Sequence, residues 1–70
     1  MKRVVIDYIN WKGERSVRTI MPEKVFFAAT EHHKTPQWIL SAFDVEKKAW
    51  RHFAMADIKS WRQEAETEEP

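Results

Sequence analysis

The sequence predicts a mostly all-β protein: five short strands in a small, strongly bent sheet or barrel, with a short C-terminal helical turn. Three observations predict it. The run Gln37-Trp38-Ile39-Leu40-Ser41-Ala42-Phe43 carries no charge and lies between Pro36 and the turn formers Asp44, Glu46 and Lys47. It is too short for an independent helix, and its β-branched and aromatic content favours a strand. Upstream, Val4, Ile6 and Tyr8 alternate with Val5, Asp7 and Ile9, the period of a pleated strand. Turn chemistry then recurs at short intervals, which leaves little room for helix.

The elements follow in order. Lys2 to Asn10 is the first strand. Gly13, the only glycine, sits in Asn10-Trp11-Lys12-Gly13-Glu14, where a residue tolerating positive φ suits a hairpin loop. Arg15 to Met21 alternates again and gives a second strand. Pro22 cannot donate to a ladder, so it ends that strand or marks an edge. Val25-Phe26-Phe27-Ala28-Ala29 offers too few turns for a helix, and the paired Phe favours a third strand from Lys24 to Thr30. Glu31-His32-His33-Lys34-Thr35-Pro36 continues as a loop.

Gln37 to Phe43 is the fourth strand. With few polar positions on either face, it is placed centrally and covered on both sides. A turn over Asp44 to Lys48 leads to a fifth strand, Ala49 to Met55. Finally, Ile58 and Trp61 stand three apart in Ala56–Arg62, which suits one helical or 3₁₀ turn.

Size and composition bound the function. Seventy residues make one domain, and so short a chain needs large side chains in its core. Four Trp, four Phe and one Tyr can supply them, and burial is the favoured reading for Trp38, Trp50 and Trp61. Cysteine is absent, so no disulfide or thiolate site contributes. No apolar run reaches a membrane span and no sorting signal is visible, so a cytoplasmic protein with no membrane partner is expected. The expected organisation is a barrel domain over residues 1–62 and a disordered acidic tail over 63–70. That tail holds four of the eleven acids and no base; the body is left with 12 bases against seven acids. A net +5 permits polyanion binding without demanding it.

The order of landmarks carries a resemblance. Ile6-x-Tyr8, Gly13, Arg18-x-Ile20-x-Pro22, Trp38-Ile39-Leu40-x-Ala42-x-Asp44, Arg51-x-Phe53 and Ile58 together resemble the WYL domain, over residues 4 to 61. The resemblance implies an SH3-like, Sm-like β-barrel used as a ligand-responsive regulatory part, associated with single-stranded nucleic acid or nucleotide-like ligands. It also implies that Arg18 and Arg51 occupy positions of basic ligand contact. The middle Tyr of the family's Trp-Tyr-Leu triplet is Ile39 here, which removes a hydroxyl from a position associated with the ligand surface. No helix-turn-helix precedes the domain in this sequence.

Read from the residues alone, Arg18 and Arg51 are more simply strand arginines paired with a neighbouring acid, and the resemblance is what raises ligand contact beside that reading. A guanidinium on a strand binds a phosphate bidentately or stacks on a base, although a neighbouring acid such as Asp7, Asp44 or Glu46 can also pair with it. Trp11, in the hairpin loop beside Lys12, is hard to bury and suits a stacking contact, with Lys12 and Arg15 as auxiliary bases. Adjacent histidines point opposite ways on an extended chain, so Glu31-His32-His33 does not read as a metal site. Ser16, Ser41 and Ser60 lack a nucleophile-elbow context, and one glycine cannot build a phosphate loop.

The reading is a non-enzymatic ligand-binding or regulatory module without cofactor, for nucleic acid or a nucleotide, served by Arg18, Arg51, Trp11, Lys12 and Arg15. The alternative is a protein-interaction module or homodimer, pairing through sheet edges and an apolar patch around Phe26, Phe27 and Ile39.

Overall fold

The computed structural model describes residues 2–31 and 34–63. Five antiparallel strands form one sheet: β1 (Val4–Ile9), β2 (Arg15–Ala28), β3 (Gln37–Asp44), β4 (Ala49–Ala54) and β5 (Ile58–Gln63), in the order β4-β3-β2-β1-β5. A 3₁₀ turn, Met55–Asp57, joins β4 to β5.

β1 keeps its expected alternation, with Val4, Ile6 and Tyr8 buried and the residues between them half-buried. The loop after it is built on Asn10. Its side-chain Oδ1 accepts from the Lys12 and Glu14 amides, both at 2.9 Å, and its backbone carbonyl accepts from Gly13 N at 2.8 Å. Gly13 has φ +84°, the left-handed region that a side chain penalises.

Two expectations are corrected. The strands expected over Arg15–Met21 and Lys24–Thr30 are a single 14-residue strand, β2. Pro22 does not end it; the register with β3 shifts between Pro22 and Lys24, so the missing N–H falls at a bulge. The bulge lets β2 bend, pairing its first half with β1 and its second with β3. The second correction is at the C-terminal end. Ala56–Arg62 is not a helical turn: the 3₁₀ turn comes earlier, and Ile58–Gln63 pairs with the free edge of β1. Local spacing loses to an unpaired strand edge that needs a partner. Gln63 is the last residue of β5, and the remainder of the expected acidic tail lies outside the described residues, as do His32 and His33.

The sheet coils. Its outer strands, β4 and β5, would stand about 19 Å apart in a flat array of five. Only four residue steps separate Ala54 from Ile58, a reach of at most about 14 Å. The inner face thereby curls over Val4, Ile6, Tyr8, Ile20, Leu40, Ala42 and Phe53, with Ile58 packed against them, while β4 and β5 stay unpaired with each other and the sheet does not close into a barrel. Each large member contributes about 1.5–3 kcal/mol by leaving water. Tyr8 and Phe53 meet edge to face at 4.8 Å. β3 is internal and covered on both faces, since Ile39, Leu40, Ser41 and Ala42 are all buried.

The expected burial of tryptophan is not found. Trp11, Trp38, Trp50 and Trp61 are all exposed, between 47% and 57%. Aliphatic residues, Tyr8 and Phe53 fill the interior instead. Alternation explains Trp50: it shares a pleat with His52, opposite in sense to the core residue Phe53.

Candidate nucleic-acid interface

The register places three charges on the core face. Arg18 stands opposite Ile6, Arg51 opposite Ala42, and Asp44 opposite both Ile20 and Ala49. Directly paired residues share a face, so these side chains extend the apolar rows at one end of the core. The Asp44 carboxylate is fully buried. Its Oδ2 accepts from Arg18 Nη1 at 2.9 Å, and Arg51 Nε lies 3.9 Å away, beyond a hydrogen bond. Its Oδ1 accepts from the backbone amides of Glu46 and Lys47, each at 3.1 Å. Lys48, at φ 56°, completes that turn and donates from its amide to the Asp44 carbonyl. One side chain therefore shapes the β3–β4 turn and anchors an arginine.

Arg18 is the fixed member of the trio. Its Nε also donates to Ser16 Oγ at 3.1 Å, and only 21% of its side chain is exposed. Arg51 is 48% exposed and held by charge alone. Two guanidinium groups against the buried Asp44 leave one positive charge on the floor of a cleft whose rim carries the Glu31 carboxylate. The cleft has a volume of about 320 Å³, at the small end of the range for ligand sites. Tyr8 and Phe53 continue the floor, Trp11 and Trp50 flank it, and Thr30, Glu31 and His52 complete the rim. Burial pushes the Tyr8 hydroxyl above its usual value of 10.0, and Asp57 adds to this, while Arg18 and Arg51 pull the other way.

Of the residues that the sequence singles out, the structure brings Arg18, Arg51 and Trp11 together. Lys12 lies over the Trp11 ring, 5.4 Å from its centroid, rather than in the cleft. Arg15 is engaged elsewhere: Nε donates to both Asp7 oxygens at 2.9 and 3.1 Å, and Nη2 also contacts Asp7. That pairing holds the Asp7 carboxyl below its ordinary value. Asp44, Tyr8 and Trp50 were not singled out as site residues. Asp44 reads as a turn former, which it is; its second role required knowing that Arg18 faces the same way as Ile20.

Ile39 is fully buried and stands opposite Phe26 and Ala54, away from the cleft. Ile39 is not among the residues that line the cleft. Among the described residues no group of three or more His, Cys, Asp or Glu could hold a metal ion, and no helix is long and apolar enough to cross a membrane.

A curled five-stranded sheet with an arginine-bearing, aromatic-flanked cleft at one end defines a small, mostly β domain. The model of the WYL domain matches residues 1–63, so the chain belongs to the WYL domain family. WYL domains are regulatory, nucleic-acid- and ligand-sensing domains, associated with nucleic-acid or protein interactions. No curated protein and no solved structure matches this chain.

Proposed function

We propose that this WYL domain is a non-enzymatic regulatory module that binds nucleic acid or a nucleotide in the Arg18–Arg51 cleft. The observation that carries the reading is the division of labour around Asp44. Arg18 neutralises the buried carboxylate, so the half-exposed Arg51, in the cleft that Trp11 and Trp50 also line, keeps charge to offer a ligand. A phosphate on Arg51 and a base against Trp50 or Trp11 is the pairing that single-strand binders use. An SH3-like, Sm-like form of this curled, open sheet and a cytoplasmic setting belong to the same proposal; the short β4–β5 connection supports the first.

Fluorescence titration with a short single-stranded oligonucleotide tests it, using Arg51→Ala as the probe of the cleft. Binding that weakens about ten-fold in the variant and falls with added salt is the expected result. Failure of the wild-type chain to bind below about 100 μM at low salt would refute the reading, since non-specific binders already reach that affinity.

A second reading rests on a separate observation. Val25, Phe27, Trp38 and Met55 are exposed, and the Phe27 and Trp38 rings meet edge to face at 5.3 Å. This patch suits a protein partner or a second copy. It centres on Phe27 and Trp38, because Ile39 is buried and Phe26 is half-buried against His52. Light scattering that finds a monomer at all concentrations removes the homodimer.

A further inference from the structure

The last strand carries bases and an aromatic with no acid. Ile58-Lys59-Ser60-Trp61-Arg62-Gln63 forms β5, an edge strand whose residues from Lys59 onward are all exposed. It begins at the cleft, where Ile58 stands opposite the cleft residue Tyr8. It ends opposite Val4, at the far end of the core, where Lys2, Val4, Pro22, Trp61, Arg62 and Gln63 line a second, shallower depression. Ile58 to Gln63 covers about 17 Å of extended chain. The acid facing this path from β1 is Asp7, opposite Ser60, and Arg15 already neutralises it. Asp57 lies before the strand begins. Among the described residues, no ion pair engages Lys2 or Arg62.

We propose that Lys2, Trp61 and Arg62 form a second station for single-stranded nucleic acid, reached from the first along β5. The inference rests on the cleft reading and narrows its ligand: a strand of several nucleotides rather than a single one. Charge and stacking select this occupant. Trp61, in register with Ile6, and Arg62, in register with Val5, turn to opposite faces of the edge strand, and both border the depression that Lys2 also lines. There an indole offers a base a face and the two cations offer its phosphates counter-charges, without reading sequence. A duplex does not fit the geometry, because its bases are stacked on one another and turn no face to Trp61.

Fluorescence polarisation with labelled thymidine oligomers, from one to about nine nucleotides long, tests this at low salt. The wild-type chain is expected to hold the longer oligomers at least about ten-fold more tightly than the mononucleotide. Trp61→Ala abolishes that gain and leaves mononucleotide binding unchanged. The double variant Lys2→Gln with Arg62→Gln changes only exposed charges, so it stays folded even should Trp61→Ala unfold. It lowers the salt slope for the longer oligomers by about 0.7 per lost phosphate contact. Affinity independent of length, or long oligomers indifferent to both variants, overturns the second station while the cleft stands. Absence of binding at every length overturns the cleft reading as well. Self-association that Trp61→Ala abolishes would assign the station to a second copy of the chain and overturn the proposal.

Discussion

Replacing Asp44 by Asn changes one charge and almost no volume, and the structure says what that charge holds. The amide oxygen can still accept from Glu46 and Lys47, so the β3–β4 turn keeps its two side-chain bonds. The amide nitrogen then meets the Arg18 guanidinium donor to donor. A hydrogen bond to a charged group is worth about 1.5–3 kcal/mol, and a buried charge stripped of its partner costs about 3–5 kcal/mol. Arg18 keeps a fifth of its side chain in water, which discounts the second figure. A loss of about 2–3 kcal/mol is expected, against a total of about 4–10 kcal/mol for a chain of this length. In a domain this small each kcal/mol moves Tm by about 4–8 °C, so Asp44→Asn lowers it by about 10–20 °C. Thermal unfolding followed by circular dichroism measures this. Arg51→Ala is the internal control: its nitrogen lies beyond hydrogen-bonding range and it is half exposed, so its cost stays under about 1 kcal/mol. A Tm for Asp44→Asn within about 2 °C of wild type would refute the claim that this carboxylate organises the cleft.

Other outcomes follow from the same structure. Tyr8 is the only tyrosine, and its folded pKa is raised, so the folded state holds its proton more tightly than the unfolded chain. The associated stability is present below pH 10 and is lost as pH rises through the folded value. Denaturant titrations across that range should show wild-type stability falling, with the Tyr8→Phe variant losing less. Gly13→Ala meets no atom within 4 Å, so its cost is backbone strain alone; about 1 kcal/mol is expected by chemical denaturation. Leu40→Ala hollows the core and should cost about 2–5 kcal/mol in the same assay. Neutralising Glu64, Glu66, Glu68 and Glu69 to Gln removes four negative charges that follow β5 directly in sequence. Oligonucleotide affinity at low salt should then rise, and the rise should vanish at high salt.

Strand identity was legible where one face is apolar and the other is not. Val4, Ile6 and Tyr8 announce β1, and Gln37–Asp44 announces an internal strand. What misled was punctuation. Pro22 reads as a stop because its ring forbids a ladder bond, yet a bulge supplies the one place where no bond is needed. The helical spacing of Ile58 and Trp61 reads as a turn because nothing local records that β1 has a second edge to fill. For the site, Arg18, Arg51 and Trp11 stand out as residue types. The pairing of Arg18 with Asp44 spans 26 positions and emerges only once β2 lies between β1 and β3. Arg15 differs from Arg18 by three positions, an odd step along a strand, and that parity sends it to the opposite face and to Asp7.

The misplacement of the tryptophans carries the larger lesson. Size arguments demand large buried residues in a short chain, and here seven residues from Val4 to Phe53 form the main core cluster without a single Trp. All four indoles therefore lie outside that cluster, Trp38 and Trp50 against Phe27 and Phe43, while Ile6, Ile20 and Ile39 are fully buried. Trp11 and Trp50 flank the cleft that holds Arg18 and Arg51, Trp61 stands beside Arg62 on β5, and Trp38 faces Phe27 on the apolar patch. An exposed Trp adds apolar surface that promotes aggregation and returns little stability in a monomer. Three of the four lie beside a cation, and that placement matches what a ligand combining flat apolar rings with negative charge would need. The surface aromatics and the core-face arginines are each compatible with the ligand chemistry proposed above, and they come from independent features of the sheet: alternation for Trp50, and register for Arg18 and Arg51.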